Sequence, residues 1–451
     1  MSTPSKRAPL VQCAGEHGAI FLAVSGFFLL GMRQNFNFPL TLRQGLGQFL
    51  LFAGAGFWAL TRLRGERSQI RSRPVTITIL LYAVGLLISY ASAMGRGISQ
   101  EAVTDADKYI TTNFVLIAMV FAIAAMVTTT ASVAVVLKGI IIGGSLSASF
   151  AIVEFLTGMD LAKEFRLPGM KVGNLLLVEP LMREGVARPQ GSAEHPLELA
   201  IILTILIPLS VGVVASARAK GEKTWPWLIC SAILLCGALV TISRSVIVEL
   251  AAAIIVMAWR WPIQRLAAVL AGIMVMIGIG WSLQLPVFTA FASSIANSSE
   301  DPSVMSRAHG ADYVFAHYAE HFWFGEGPGT YLAHRDRPSL DNEYLSRLMD
   351  SGVLGLATYV ILLAVALAVA LRASAAASSA IAELAGGLSG SIAVLITAGT
   401  TLDISGFTQS LYLGWLVLAL SVVALHISRH GDVMPEPPLC NEKVGGRHHV
   451  R

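Results

Sequence analysis

Charged residues are scarce in this chain of 451 residues. They make up only 13% of it, whereas hydrophobic residues make up 55%. A soluble domain carries about a quarter charged residues, so the composition excludes an ordinary water-soluble protein and favours one that lies in a lipid bilayer. The formal net charge is only +4, and nothing in the charge pattern indicates a nucleic-acid partner.

Cysteine is also rare, and its positions exclude a disulfide framework outside the membrane. Cys230 and Cys236 share one apolar run, and Cys13 and Cys440 lie near the two ends of the chain. No His or Cys residues have the spacing of a metal site. The spacing therefore predicts no bound metal.

Apolar runs that approach the length of a bilayer recur along the whole chain. A helix needs about 20 apolar residues to cross the hydrocarbon core. Together the runs predict an all-α, polytopic membrane bundle of about twelve spans, which forms one domain over residues 1–451, and the basic N-terminus precedes a first span rather than a cleavable signal. The runs lie near residues 14–32, 42–61, 75–94, 110–128, 132–156, 196–216, 225–242, 245–258, 266–283, 352–371, 380–400 and 408–427.

The distribution of Lys and Arg predicts the orientation of the bundle. The connection "RLRGERSQIRSR" carries five Arg against one Glu, whereas residues 283–350 carry four Arg against nine acids. Cytoplasmic loops are enriched in Lys and Arg. We therefore predict that both termini are cytoplasmic and that two long loops, 157–195 and 284–351, lie on the opposite, outer side of the membrane.

Arginines stand at the edges of apolar runs on the predicted outer side. Arg188 precedes the span that starts near residue 196, and Arg244 lies between two apolar runs. Arginine is costly inside a bilayer and usually marks a partner or a ligand. The alternative is that these side chains extend to the lipid headgroups, and the sequence leaves both interpretations open.

The second outer loop combines an amphipathic stretch with a glycine-rich turn. Residues 305–318 have the pattern of an amphipathic helix and carry Arg307 near its start. In "FGEGPGTY", Gly325, Gly327 and Gly329 indicate a tight turn, and Pro328 removes one amide donor. The turn lets the backbone approach either a ligand phosphate or another helix.

The stretch "SLDNEYLSRLMDSGVLG" predicts a helix in front of the next span. Asp341 or Ser339 suits the N-cap of this helix, and Gly352 suits its end. Asp341 therefore has a simple structural interpretation as a cap. The alternative is that its carboxylate takes part in chemistry.

The same residues resemble the O-antigen ligase and polysaccharide polymerase family of bacterial inner-membrane proteins. Ligases of that family have a His followed by Asn, Ser or Gln, then nine residues, a Gly, and three residues later Gly, Thr or Tyr. Here Asn342 is followed by nine residues and then by Gly352 and Gly355, but Asp341 occupies the position of the His.

Other motifs follow the order of that family. The turn at Gly325 resembles its Gly-x-Gly-Pro-Gly motif, and Arg188 opens a stretch that resembles its Arg-x-x-Gly and His-Pro motif, which ends at His195. Arg244 and Arg307 resemble two further arginines of the family. The motif matches cover about residues 188–355.

The resemblance implies a membrane bundle similar to the C-type glycosyltransferase fold, with its site at the outer face. The implied donor is a saccharide on undecaprenyl diphosphate, the acceptor is a glycan or lipid-linked glycan, and no nucleotide sugar, ATP or metal is required. The implied diphosphate ligands are Arg188, Arg244 and Arg307, because arginine binds phosphate in a bidentate manner. Asp341 is the implied base, and Asn342 orients either the substrate or this carboxylate.

Several alternatives stay open at this point. His334 is a rival base seven residues upstream of Asp341. Asp341 in place of His favours a polymerase of O-antigen or exopolysaccharide over a ligase, with a flippase and a chain-length regulator as expected partners. A transporter or a flippase without catalysis is the alternative class, and Glu249, inside an apolar run, is the residue that supports it best. The sequence names neither the sugar nor the acceptor.

Overall fold

The computed structural model describes residues 8–37, 45–63, 73–172, 182–183, 186–282, 302–331, 337–376 and 379–431, together with residues 289 and 293. Thirteen α-helices account for most of them. They are α1 (Ala8–Gly31), α2 (Leu46–Leu63), α3 (Arg73–Gly95), α4 (Gln100–Met126), α5 (Thr130–Thr157), α6 (Pro196–Ala219), α7 (Trp225–Val240), α8 (Ser245–Ala258), α9 (Ile263–Ser282), α10 (Pro302–His317), α11 (Glu343–Ser374), α12 (Ala380–Ala398) and α13 (Thr408–His430).

Short elements join some of these helices. Strand β1 (Phe36–Asn37) pairs antiparallel with β2 (Lys171–Val172), and β3 (Met182–Arg183) pairs with β4 (Val186–Ala187). Single 3₁₀ turns occur at Leu161–Lys163, Tyr318–His321 and Ile404–Gly406. The prediction of an all-α, polytopic membrane protein is confirmed, because the strands are only two residues long and helices dominate.

Each of the twelve predicted spans coincides with one helix. Within the described residues, eight helices are long and apolar enough to cross a membrane: α3, α4, α5, α6, α9, α11, α12 and α13. The apolar parts of α1, α2, α7 and α8 are shorter. The count of twelve spans therefore stays a prediction, whereas the amphipathic stretch near Met305 forms the separate helix α10.

Small residues let the helices of the bundle approach each other closely. A Cβ at Gly139 of α5 would lie only 2.5 Å from the carbonyl oxygen of Ala23 in α1, and one at Gly212 of α6 would lie 2.9 Å from that of Glu383 in α12. Membrane helices associate largely through such close packing, because lipid supplies no hydrophobic driving force between them. Of the candidate spans, α6, α12 and α13 are the most buried, and α9 is almost fully exposed.

The polar connections gather at one end of the bundle, which we call the loop-rich end. Arg33 reaches both Asp160 and the carbonyl of Gly191, and Arg96 donates to the carbonyls of Gly325 and Glu326. These residues belong to connections that alternate along the chain with those of the opposite end. In its described part, the loop-rich end comprises residues 32–37, 96–99, 158–172, 186–195, 241–244, 302–331, 337–342 and 399–407.

Candidate functional site

The N-cap of the motif helix α11 is Asn342, not Asp341 or Ser339 as the sequence predicted. The Asn342 side-chain oxygen accepts from the backbone N–H of Tyr344 at 2.9 Å and of Leu345 at 3.0 Å. Its side-chain amide donates to the carbonyl of Thr400 at 3.2 Å. Asn342 has the last extended backbone before the helix, so its side chain is the one placed to satisfy the orphan amides of the first turn.

Asp341 is therefore not needed for the cap, and it faces Arg307 instead. One carboxylate oxygen lies 3.9 Å from the guanidinium Nε of Arg307, and both side chains are about one third exposed. The Arg307 guanidinium also donates to the carbonyl of Thr401 at 3.1 Å. The arrangement places an accessible carboxylate, in the connection that precedes α11, next to a fixed cation of α10.

The glycine-rich turn packs on a break in helix α11, so the interpretation that it approaches a helix is the one the structure supports. Glu326 N donates to the carbonyl of Met349, and Gly327 N to that of Asp350, both at 2.8 Å. In return, Val353 N donates to the carbonyl of Phe322 at 2.9 Å. The backbone groups of Met349, Asp350 and Val353 in α11 thus bond to the turn and the residues just before it.

Gly352 was predicted to end the helix, but the helix resumes after it. Gly352 has φ 65° and ψ −169°, a conformation that is costly for other residues. A Cβ on it would lie 2.5 Å from the amide nitrogen of Phe324, and one on Gly325 would overlap the backbone of Asp350 and Ser351. The other motif glycines also pack tightly: Gly327 against Ala93, Gly329 against Tyr109, and Gly355 against Ser351.

A buried ion pair lies on the inner side of the motif helix, and sequence reasoning missed it. The carboxylate of Glu343 lies 2.6 Å from Nε of Arg347, with side-chain exposures of 1% and 3%. Arg347 also donates to the hydroxyl of Tyr82 at 2.7 Å and stands 4.1 Å from the ring centre of Tyr359. The available signal was the spacing of four residues between Glu343 and Arg347, which puts both on one helix face.

Asp403, in the connection between α12 and α13, joins this network. Its carboxyl accepts from the hydroxyls of Ser346 at 3.1 Å and Ser405 at 2.6 Å. Burial raises the pKa of Asp403 well above its usual range, and the adjacent negative charge of Glu343 raises it further. Of the two carboxyls, Glu343 is the one that pairs with Arg347.

A cavity of about 320 Å³ opens beside this network, and we call it the α4 pocket. Helix α4 forms one wall of it. Its lining includes Asp105, Lys108 and Tyr109 of α4, Ser346 and Asp350 of α11, and Asp403. None of them was singled out from the sequence, because their side chains meet only in the fold.

Arg188 and Arg244 belong to a different part of the loop-rich end. Nε of the buried Arg188 donates to the carbonyl of Thr241 at 2.9 Å, in the short connection that leads to Arg244. Ile242, which lies between Thr241 and Arg244 in the chain, has φ 49°, a strained conformation for a β-branched residue. Such strain persists only where the surrounding contacts hold it, and the Arg188 hydrogen bond to the preceding residue is one of them.

His195 lies next to this cluster and caps helix α6. Its Nδ1 accepts from the backbone N–H of Leu197 at 3.1 Å. Burial, followed by the positive charge of Arg188, lowers the pKa of His195 to about 4. The imidazole is therefore neutral near pH 7 and serves as an acceptor in the helix cap.

The segment from Arg188 to His195 is held in place by two charged side chains, one from the connection after α1 and one from α5. The guanidinium of Arg33 donates to the carbonyl of Gly191, and the carboxylate of Glu154 accepts from the backbone N–H groups of Gln190 and Gly191 at 3.1 and 3.0 Å. Gly191 has φ 53°. The position of Arg188 thus depends on contacts that the sequence motif does not contain.

The predicted site residues accordingly form two groups. Asp341, Asn342 and Arg307 lie beside the 399–407 connection, and Arg188 bonds to the Thr241 hairpin that carries Arg244. The ring of His195 lies 5.9 Å from that of Phe407, so this connection touches both groups. His334, the rival base, lies outside the described residues.

Two other expectations concern Glu249 and metals. The buried Glu249 accepts from the hydroxyl of Thr204 at 2.5 Å, which supplies a neutral hydrogen-bond partner within the bundle. Among the described residues, no three or more His, Cys, Asp or Glu side chains are grouped so that they could hold a metal ion.

Comparison with known proteins gives one match. Residues 229–360 match the family model described as O-Antigen ligase, and no curated protein matches the chain significantly. The matched stretch contains Arg244, Arg307, the glycine-rich turn and the Asp341–Asn342 motif, but neither Arg188 nor α4. Residues 229–360 thus match the O-antigen ligase family, in agreement with the O-antigen ligase and polysaccharide polymerase family that the motifs indicate.

Proposed function

We propose that this protein transfers saccharides from an undecaprenyl-diphosphate-linked donor at the outer face of the bacterial inner membrane. The product is an elongated O-antigen or exopolysaccharide chain, and ligation of finished chains is the second candidate. The O-antigen ligase domain supports this class of membrane glycan enzyme. The observation that carries the proposal is the contact between Arg307 and Asp341.

The two residues of this contact suit the two halves of a glycosyl transfer. An acceptor hydroxyl attacks the anomeric carbon of the donor, and its proton passes to the Asp341 carboxylate. The bond from the anomeric carbon to the diphosphate oxygen breaks, and the diphosphate leaves with the electron pair. Arg307 lies where it can neutralise this negative charge, and Arg188 and Arg244 are the further cations of the proposed diphosphate site.

The substitution of Asp for His at position 341 favours polymerase over ligase. A transporter or a flippase without catalysis is less well supported, because the hydrogen bond from Thr204 gives Glu249 a structural role within the bundle. A separate flippase that supplies the donor and a chain-length regulator are the partners that a polymerase requires. The orientation, with both termini in the cytoplasm, belongs to the same proposal.

The deciding experiment is the glycan phenotype of a strain that lacks this gene. Chains reduced to a single repeat unit would identify a polymerase, and carrier-linked polymer that is not transferred would identify a ligase. Complementation with Arg307→Ala should fail, whereas Arg372→Ala, an exposed arginine at the opposite end of α11, should restore the glycan. An unchanged glycan profile in the deletion strain would contradict the proposal.

A further inference from the structure

We propose that the α4 pocket binds a sugar ring of the lipid-linked substrate and prefers uncharged sugars. The inference rests on the proposed function and adds the place where the saccharide is held. No part of α4 lies within residues 229–360, the stretch that matches the O-antigen ligase family. The wall that α4 contributes is therefore a feature that the family match does not assign.

The size of the cavity suits a single sugar. Pockets for small ligands have volumes of about 300–1,000 Å³, and the 320 Å³ of the α4 pocket lies at the lower end of that range. Two tyrosines, Tyr109 and Tyr331, line it. Aromatic rings offer an apolar face for the C–H groups of a sugar, and their hydroxyls can meet its polar edge.

The polar groups of the pocket supply both donors and acceptors. The ammonium of Lys108 lies 2.9 Å from the carboxylate of Asp105 at the exposed side. Asn113, Ser346 and Asp350 are each more than nine-tenths buried and line the inner part. A polyhydroxylated ligand, which presents donors and acceptors all around, matches such a mixed lining.

The charge of the pocket separates it from the proposed diphosphate site. Its lining contains three carboxyl groups, Asp105, Asp350 and Asp403, and one cation, Lys108. Lys108 is already paired with Asp105, so a phosphate or a uronic acid would lose its hydration in the pocket without gaining a counter-ion, whereas an uncharged sugar has no charge to lose. Sugar and diphosphate therefore have chemically different places at the loop-rich end.

The inner wall of the pocket is held rigid before any ligand binds. One carboxylate oxygen of Asp350 accepts from the backbone N–H of Tyr331 at 2.9 Å, and the hydroxyl of Tyr82 donates to Asn113 at 2.7 Å. Groups fixed in this way lose little entropy when a ligand binds. The hydrogen bonds around Arg347 thus hold the inner wall of the pocket in place.

The pocket also lies close to the proposed reacting groups along one short connection. Arg307 donates to the carbonyl of Thr401, and Asp403, two residues later, lines the pocket. A sugar held in the pocket could therefore present a neighbouring hydroxyl or anomeric carbon toward Asp341. Both the donor and the acceptor carry such a sugar.

Blocking the cavity with one bulky side chain tests this inference. Thr112 lines the pocket, whereas the adjacent Thr111 is exposed and is not among its lining residues. Thr112→Trp should therefore fill the cavity, and Thr111→Trp is the matched control. Binding of glucose, galactose, rhamnose, N-acetylglucosamine and glucuronate is measured by saturation-transfer NMR on the full-length protein in lipid nanodiscs.

We expect at least one neutral sugar to bind the native protein and the Thr111→Trp variant, with binding weakened roughly tenfold or more by Thr112→Trp. Glucuronate should bind more weakly than glucose. Stronger binding of glucose 1-phosphate than of glucose, lost in Arg307→Ala, would assign the donor sugar to the pocket, and equal binding would assign the acceptor sugar.

The inference is overturned if no neutral sugar binds, or if Thr112→Trp binds sugars as well as Thr111→Trp does. These results do not depend on catalysis. In cells, a deletion strain with an unchanged glycan would refute the proposed function, whereas a deletion strain that loses polymer but regains it fully with Thr112→Trp would refute only the sugar site.

Discussion

Two adjacent residues of the motif have the two roles, helix cap and reactive carboxylate, that the sequence analysis considered for Asp341 alone. Asn342 caps helix α11 and bonds to Thr400, and Asp341 faces Arg307. A cap requires only an acceptor oxygen, and Asn caps as well as Asp. The structure therefore separates the helix start from the carboxylate that the proposed chemistry requires.

The first prediction concerns this separation. Asp341→Asn should retain the helix and the amount of protein in the membrane but lose most glycan transfer, because an amide cannot accept the proton. Asn342→Ala should lower the free energy of unfolding by about 1 kcal/mol through loss of the cap. Polymer amount per membrane protein and thermal melting in detergent measure the two effects. If Asp341→Asn makes normal polymer, His334 becomes the residue to test.

A second prediction concerns the arginines. Arg188→Ala, Arg244→Ala and Arg307→Ala should each abolish transfer, and Arg307→Lys should restore it only in part, because lysine lacks the bidentate geometry. Arg188 also binds the carbonyl of Thr241, so its variant requires a check of protein amount. Full activity of any two alanine variants at normal abundance would refute a shared diphosphate site.

Local patterns at the residue scale were readable from the sequence only in part. The start of α11 was predicted to within a few residues, because Ser339, Asp341 and Asn342 are all good caps and only the backbone decides among them. Asp403 was not found, because its partner Glu343 is sixty residues earlier in the chain. The contact between Arg307 and Asp341 was inaccessible for the same reason.

At the scale of elements, the two glycine motifs form one structural unit. The turn at Gly325–Gly329 pairs its backbone with the break in α11 at Gly352, and each side needs a missing Cβ on the other. Nine residues, about two and a half helical turns, separate the cap from the break. The spacing of the motif therefore sets the length of the short first segment of α11.

A third prediction follows from this unit. Gly352→Ala should destabilise the protein by about 1–3 kcal/mol, because it combines a positive φ with a clash against Phe324. Gly386→Ala is the control, since a Cβ there meets nothing within 4 Å and alanine favours a helix. Melting temperatures of the two variants should move in opposite directions. Equal melting temperatures would show that the turn does not depend on Gly352.

The sequence predicted that the turn would be tight, but not what it would touch. Pro328 and the three glycines indicate the conformation of the turn through their own backbone preferences. Its contact with α11 depends on the packing of α3, α4 and α11, which no local pattern encodes. Only the three-dimensional structure could therefore decide whether the turn approaches a ligand phosphate or another helix.

At the scale of the whole molecule, the positions and order of the apolar helices were the most predictable features. Apolar runs reveal membrane helices because each must be long enough to cover the hydrocarbon core. The contacts Arg33–Asp160 and Arg96–Gly325 join connections that the predicted topology places on the same side. The side itself rests on the Lys and Arg asymmetry.

A fourth prediction tests which side of the membrane the loop-rich end faces. In a background without native cysteines, Thr104→Cys and Ser339→Cys should react with an impermeant thiol reagent in intact spheroplasts, and Lys220→Cys should not. All three positions are exposed, whereas Ser192 in the first outer loop is only 1% exposed and would be a poor reporter. Labelling at Lys220 together with silence at Ser339 would reverse the orientation.

The connection between α12 and α13 has a consequence for how relatives of this protein can diverge. Surface loops usually tolerate insertions, but residues 399–407 accept bonds from Arg307, Asn342 and Glu343, lie beside the ring of His195 and form part of the α4 pocket. One added residue would shift these contacts at once. We therefore expect natural selection to keep the length of this loop constant among relatives while their other loops vary.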